Sequence, residues 1–214
     1  MPRNWFVLII IILQLGCLNQ TSFKLKNGDL LLQDLDSSPL CDAIEKVTSG
    51  FNNLNFSHIG ILKIINEEHY VLEAFINGVD TIPLDSFLNR SLNEKNNPKV
   101  LVGRLKNEYA QLIPKALELG MNLIGSEYDD EFKINNGKFY CSELIYDIFL
   151  KANNQKSIFN LQPMTYKYNG EFMGIWIDYF NNLEIPIPEN DPGINPGGIS
   201  LSKKINIIYN YDNN

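Results

Sequence analysis

Histidine and cysteine are both scarce in this chain of 214 residues: two histidines, His58 and His69, and three cysteines, Cys17, Cys41 and Cys141. Beyond Cys17 these side chains lie scattered, with no ligand spacing, so neither a metal site nor any other cofactor is expected. Basic clusters are also missing. With 18 Lys and Arg against 25 Asp and Glu, the formal net charge is −7, which argues against a nucleic-acid partner. There is no internal repeat and no low-complexity block apart from an abundance of Asn. The only long apolar run stands at the N-terminus, and the remainder suffices for one domain with a substantial core.

That run, "FVLIIIILQLG" at 6–16, follows Arg3 and ends at Cys17. A charged start, an apolar stretch too short to span a bilayer comfortably and a small residue before polar sequence read as an export signal. Residues 1–16 are therefore expected to be a signal peptide, and the protein to reach the cell envelope or periplasm. Cys17 is the expected lipidation site: Gly16 suits a lipoprotein signal, whereas Gln14 and Leu15 depart from the usual pattern. Acyl chains there would anchor the chain to a membrane surface, with 18–26 as a short tether and 27–214 as the folded domain.

Within that domain, "NGDLLLQDL" (27–35), "FSHIGILKII" (56–65), "YVLEAF" (70–75), "KVLVGRL" (99–105) and "KINIIYNY" (204–211) read as strands. "CDAIEKVTSG" (41–50), a short segment near Asp85, "EYAQLIPKALELGMNLIG" (108–125) and "EFMGIWIDYFNNL" (171–183) read as helices. The aromatics of the last are assigned to core packing. "IPIPENDPGINPGGIS" (185–200) reads as an irregular segment. Strands with helices grouped around them indicate an α+β fold, an antiparallel sheet packed against helices.

In "KFYCSELIYDIF" (138–149), Leu144, Ile145, Ile148 and Phe149 recur at helical spacing. Cys141 then falls at a helix N-terminus, where free amides and the positive end of the dipole favour a reactive thiolate. The competing role for Cys141 is that of a small core side chain or half of a disulfide with Cys41. A nucleophilic cysteine needs a base. His69 sits in the polar turn "NEEH", whereas His58 lies inside an apolar strand, so His58 is the candidate. The third member, to orient the ring, is Glu73 on the returning strand. A two-residue loop at Glu67-Glu68 puts Leu62 across from Glu73. His58 and Glu73 then share a face but stand roughly 13 Å apart along the strand, so a bulge is needed to join them. A three-residue loop turns Glu73 away altogether.

In this order, "GDLLLQ", "CDAIEKVT", "FSHIGI", "YVLEAF", "FYCSELIYDIF", "LQPMTY" and "PGINPGGIS" resemble the permuted papain-like amidases of the YiiX/YaeF type, relatives of the NlpC/p60 cysteine peptidases. The resemblance runs from about Gly28 to Ser200. It implies a circularly permuted papain-like domain in which the histidine strand precedes the cysteine helix. It implies that Cys141 is the nucleophile, His58 the base and Glu73 the orienting group, brought close to His58 by the fold. Asp29, Tyr128 and Tyr140 fall in family-like motifs and are candidates to line the substrate cleft. The implied activity is hydrolysis of an amide in a peptide or small molecule through a thioester, with cell-wall peptides or N-acyl amino compounds as substrate classes. Lipid acyl hydrolysis or transfer on the same constellation is the alternative, favoured by a wide apolar groove at Cys141. The "NCEHF"-type motif of the lecithin:retinol acyltransferase branch is absent. A non-catalytic envelope binding module is the third reading, favoured by a Cys41–Cys141 disulfide. No oligomeric state follows from the sequence.

Overall fold

The computed structural model describes residues 23–213. The expected signal peptide, the lipidation site Cys17 and most of the tether lie outside these residues. Among the described residues no helix is long and apolar enough to cross a membrane.

Six strands form one antiparallel sheet: β1 (Leu30–Gln33), β2 (His58–Ile65), β3 (Glu68–Phe75), β4 (Gly78–Pro83), β5 (Val100–Leu105) and β10 (Ile205–Asn210), in the order β10-β5-β1-β2-β3-β4. Helix α1 (Pro39–Val47) follows β1, α2 (Leu84–Leu88) follows β4, and α3 (Ile113–Met121) and α4 (Cys141–Ala152) follow β5. Between α4 and β10 come the short strands β6 (Gln162–Pro163), β7 (Lys167–Tyr168), β8 (Glu171–Phe172) and β9 (Pro192–Gly193), with helices α5 (Gly174–Asn182) and α6 (Pro196–Ser200).

The sheet is covered on both faces, which is why "LLL" at 30–32 is buried throughout. Alternate residues serve different cores. Leu30, Leu32, Ile59, Ile61, Leu72 and Ala74 pack with Leu144, Ile145, Ile148 and Phe149 of α4 in the larger one. Leu31, Leu62, Val71, Val100 and Val102 meet Phe87 of α2 in the other. The apolar stripe of α4 thus presses its length against the sheet, and its N-terminus is fixed by core packing rather than by a side-chain cap.

The β2–β3 turn differs from the expected one. Ile65 pairs with Glu68, so the loop is Asn66-Glu67, and both residues have positive φ (50° and 70°). That is the backbone sign of a type I′ turn, which matches strand twist. Moving the loop one residue earlier slides the register by two. Leu62 faces Val71 rather than Glu73, and one step beyond the Ile61–Leu72 pair Glu73 stands across from Gly60. His58 and Glu73 are then diagonal neighbours on one face, and no bulge is needed.

Smaller departures concern the bounds and type of elements. The helix at 41–50 is Pro39–Val47, the one at 108–125 begins as a 3₁₀ segment and becomes α-helical only at Ile113, and 171–183 divides into β8 and α5. Strand β4 has no counterpart in the sequence reading, because Pro83 ends it and Asp80 interrupts its apolar residues.

Candidate active site

Cys141 is the first residue of α4, preceded by Tyr140 in an extended conformation. It is buried and free, as is Cys41, so no disulfide joins them. Cys41 instead lies 3.5 Å from the hydroxyls of both Ser37 and Ser38. The backbone N–H groups of a helix's first turn have no partners within the helix, and their dipoles favour negative charge at Cys141.

The buried ring of His58 bridges Cys141 and Glu73. Its Nε2 lies 2.7 Å from Glu73 Oε2, and Cys141 is the other group that raises its proton affinity. Phe75 and Phe87 flank the ring, with centroids 5.0 and 5.8 Å away. Gly60 stands between the two residues on that face. A methyl there would come within 2.3 Å of Val71 Cγ1 and 3.4 Å of Phe87 Cε2, so the carboxylate reaches diagonally across bare backbone. Burial by itself lowers the affinity of His58 for a proton. The hydrogen bonds and charges of Cys141 and Glu73 outweigh it and raise His58 from 6.5 to about 9. Burial likewise pushes Glu73 up, but His58 and Arg90 overcome it and hold the carboxyl below its usual range.

Arg90 is the member of this group that sequence reasoning missed. Its Nη1 donates to Glu73 Oε2 at 2.7 Å and its Nη2 to Oε1, while the guanidinium lies 4.3 Å from the Phe75 ring centroid. The signal was an Arg six residues past Leu84, at the end of a short helix near Asp85. Nothing in the sequence said that α2 would fold back over β3.

Of the candidate cleft residues, Tyr128 and Tyr140 line the same cleft as Cys141, a space of about 110 Å³. Burial, then the charge of Cys141, pushes the Tyr128 hydroxyl well above its ordinary value, so it is a hydrogen-bond donor at neutral pH. Asp29 lies elsewhere. Its carboxylate is engaged by Arg104 (2.6 and 2.7 Å) and by the Lys26 N–H (2.8 Å), an ion pair that ties the start of β1 to β5. The two tail motifs also build the cleft. Met164, Thr165 and Tyr166 of "LQPMTY" and Ile194, Asn195 and Pro196 of "PGINPGGIS" form walls of it. The Ile194 peptide is gripped at both ends: its N–H donates to Tyr140 Oη at 3.2 Å, and its carbonyl accepts from Ser142 Oγ at 2.8 Å. The residues flanking Cys141 thus fix the wall opposite it.

In the first turn of α4, Glu143 is buried, with Oε1 accepting from the Asn135 N–H and Oε2 without a partner among the described residues. Burial raises it to about 8. A carboxyl raised on folding costs no stability below its unfolded value near 4.5. The cost then grows until the pH passes about 8. Glu143→Gln should therefore flatten the decline of Tm between pH 5 and 8 and gain on the order of a few kcal/mol at pH 8. A wild-type-like slope in thermal melts of the variant contradicts that assignment.

Residues 24–209 match the family model described as "Permuted papain-like amidase enzyme, YaeF/YiiX, C92 family". Over 127 residues the chain is 28% identical to the protein YiiX of Escherichia coli (strain K12), covering 59% of this chain and 58% of that one, so the match spans less than two thirds of the relative. A solved structure of yiiX from Escherichia coli O157:H7 superposes with a TM-score of 0.71 at 20% identity, covering 86% of this chain and 97% of the other. That structure is described as a metalloprotein. Among the described residues here, no group of three or more His, Cys, Asp or Glu side chains is arranged to hold a metal ion.

Proposed function

The chain belongs to the permuted papain-like amidases of the YaeF/YiiX type, and from that premise we propose that it is a cysteine amidase in which Cys141, His58 and Glu73 carry out acyl transfer to water. The observation that carries the reading is the buried His58–Glu73 pair, 2.7 Å apart, whose ring is also charged up by the buried Cys141 at the start of α4. With His58 protonated up to about pH 9, an imidazolium stands beside the sulfur across the neutral range.

The thiolate attacks the amide carbonyl, and charge develops on the carbonyl oxygen. The unpaired N–H groups at the start of α4 and the Tyr128 hydroxyl are its donors. His58 gives its proton to the departing amine, and the C–N bond breaks to leave a thioester. Water, deprotonated by His58, then attacks the thioester, releasing the carboxylic acid and regenerating the thiolate–imidazolium pair. Glu73 keeps the Nε2–H in place, so that Nδ1 carries the mobile proton. Kinship with the NlpC/p60 peptidases, export, and anchoring through Cys17 belong to the same proposal, with envelope peptides or N-acyl amino compounds as substrates.

One observation favours the lipid-acyl reading as the second choice. The cleft at Cys141 is lined by Ile44, Val47, Phe132, Met164, Trp176 and Ile194 among others, and among the described residues no charged side chain lines it. An uncharged acyl group fits such a wall better than an acidic peptide. Matched amide and ester substrates bearing apolar or carboxylate-tipped acyl groups decide between the readings.

The direct test is alkylation of Cys141 by iodoacetamide across pH, located by mass spectrometry, with the buried Cys41 as internal control. Labelling of Cys141 should stay fast well below about pH 8.5, the range of a free thiol, and should slow in His58→Ala. An ordinary thiol profile that His58→Ala leaves unchanged rules the mechanism out.

A further inference from the structure

Glu73 faces a difficulty that the Cys141–His58–Glu73 arrangement does not resolve by itself. It is buried at 3% exposure among apolar neighbours. While His58 is protonated, the carboxylate has a counter-charge 2.7 Å away. When His58 gives its proton to the leaving amine, that counter-charge vanishes. A buried bare carboxylate is costly, so it would hold the proton on the ring at the moment catalysis needs it released.

Arg90 is placed to remove the difficulty. It forms a forked pair with both carboxylate oxygens, and its plane is held over Phe75 and, at 5.5 Å, near Phe87, the two rings that flank His58. The other groups around His58 cannot substitute. Gln33, across from it on β1, is uncharged and donates to the Phe87 carbonyl at 2.8 Å. Asp80, across from Glu73 on β4, is exposed and accepts from the Thr81 N–H. Cys141 and Tyr128 carry no positive charge. Besides His58 itself, Arg90 is the one cation bonded to Glu73 among the described residues.

We propose that Arg90 is a positioning residue that keeps Glu73 ionised throughout the cycle, so that His58 can release its proton to the leaving group. The proposal rests on the acyl-transfer reading above. Arg90 shares the charge of Glu73, which moderates the hold of the carboxylate on the His58 proton. It also fixes which oxygen points at Nε2. A lysine keeps the charge but loses the fork.

The test combines proton NMR titration of the full chain with steady-state kinetics, on wild type, Arg90→Gln and Arg90→Lys. Only His58 and His69 give imidazole signals, and His69→Gln assigns them. Arg90→Gln should raise the His58 midpoint by about one pH unit, and Arg90→Lys should return it close to wild type. Hydrolysis of an amide, whose amine must be protonated to leave, should fall at least roughly ten-fold more in Arg90→Gln than hydrolysis of a p-nitrophenyl ester, whose phenolate needs no proton. A purely structural arginine predicts equal losses. A midpoint that stays or falls, or amide and ester rates that drop together, overturns the proposal. The titration needs no turnover, so the function of Arg90 and the amidase reading fail separately: unperturbed Cys141 labelling sinks the second, an unshifted His58 the first.

Discussion

Cys141→Ser and His58→Ala should each abolish amide turnover, by on the order of 10⁴-fold or more, and the double variant should be no worse than Cys141→Ser alone. The non-additivity is the informative part. In the proposed mechanism sulfur and imidazole act as one unit inside a buried site. Once the nucleophile is gone, the base has no proton to manage. Serine fills nearly the space of cysteine, but its hydroxyl is not ionised by a neighbouring imidazolium at neutral pH. The residual rate measures what the helix amides and the cleft supply on their own. Steady-state assays on any amide that the wild type hydrolyses suffice. Losses that multiply in the double variant mean that His58 serves something other than Cys141.

Cys141→Ser should keep its fold. Its side chain sits at the edge of the core, whereas α4 is held to the sheet by Leu144, Ile145, Ile148 and Phe149, all fully buried. A cooperative melt near that of wild type separates lost chemistry from lost structure. His58→Ala is less clean. It leaves Glu73 with Arg90 as its remaining partner and opens space between Phe75 and Phe87. His58→Gln, which fills that space and keeps a donor for Glu73, is the better-behaved companion.

How much of this site the sequence disclosed depends on the kind of signal each residue carried. Cys141 was legible because the α4 stripe begins right after it, so a one-dimensional period placed a helix end. His58 was legible by scarcity and by its apolar strand. Glu73 was half legible: strand alternation allowed it the face of His58, but both that face and its distance from His58 depended on the turn. Asn66 and Glu67 hold positive φ together, and Asn is a favoured residue there, whereas Glu in the second position is not. Reading the loop one residue late turned a diagonal contact into a gap of roughly 13 Å. Arg90 was not legible, because its contact with Glu73 rests on how α2 folds back over β3, a tertiary fact with no local period. Asp29 became a candidate only through the family-like motif it falls in, and the structure pairs it with Arg104, 75 residues away, rather than placing it in the wall of the Cys141 cleft. Of the aromatics of 171–183, Trp176 and Phe180 go to the core as expected, whereas Phe172 is exposed and Trp176 also lines the cleft.

Glu73 offers the second large effect, in which stability and pH dependence move together. In the native state His58 is raised from 6.5 to about 9. A base raised on folding contributes stability that is complete below its unfolded value, near 6.5, and is lost as the pH climbs through about 9. Part of that contribution comes from Glu73, so Glu73→Gln should lose more stability at pH 6 than at pH 10. The variant also leaves Arg90 without its carboxylate beside the site. Removing one partner of a buried ion pair costs about 3–5 kcal/mol, discounted here because the Arg90 side chain is 21% exposed and water reaches it. The kinetic consequence has a definite sign. Without the negative charge, His58 loses its proton at lower pH, so the alkaline limb of kcat/KM should move down from about 9 toward neutrality, and turnover at pH 8 should fall by roughly 10²-fold or more. Arg90→Gln should move the same limb upward. Two neighbours in one ion pair, each substituted by glutamine, thus shift one titration in opposite directions, which packing damage does not produce. If Glu73→Gln leaves the limb near pH 9, Glu73 does not set the ionisation of His58, and its role in the site reduces to holding the ring in place.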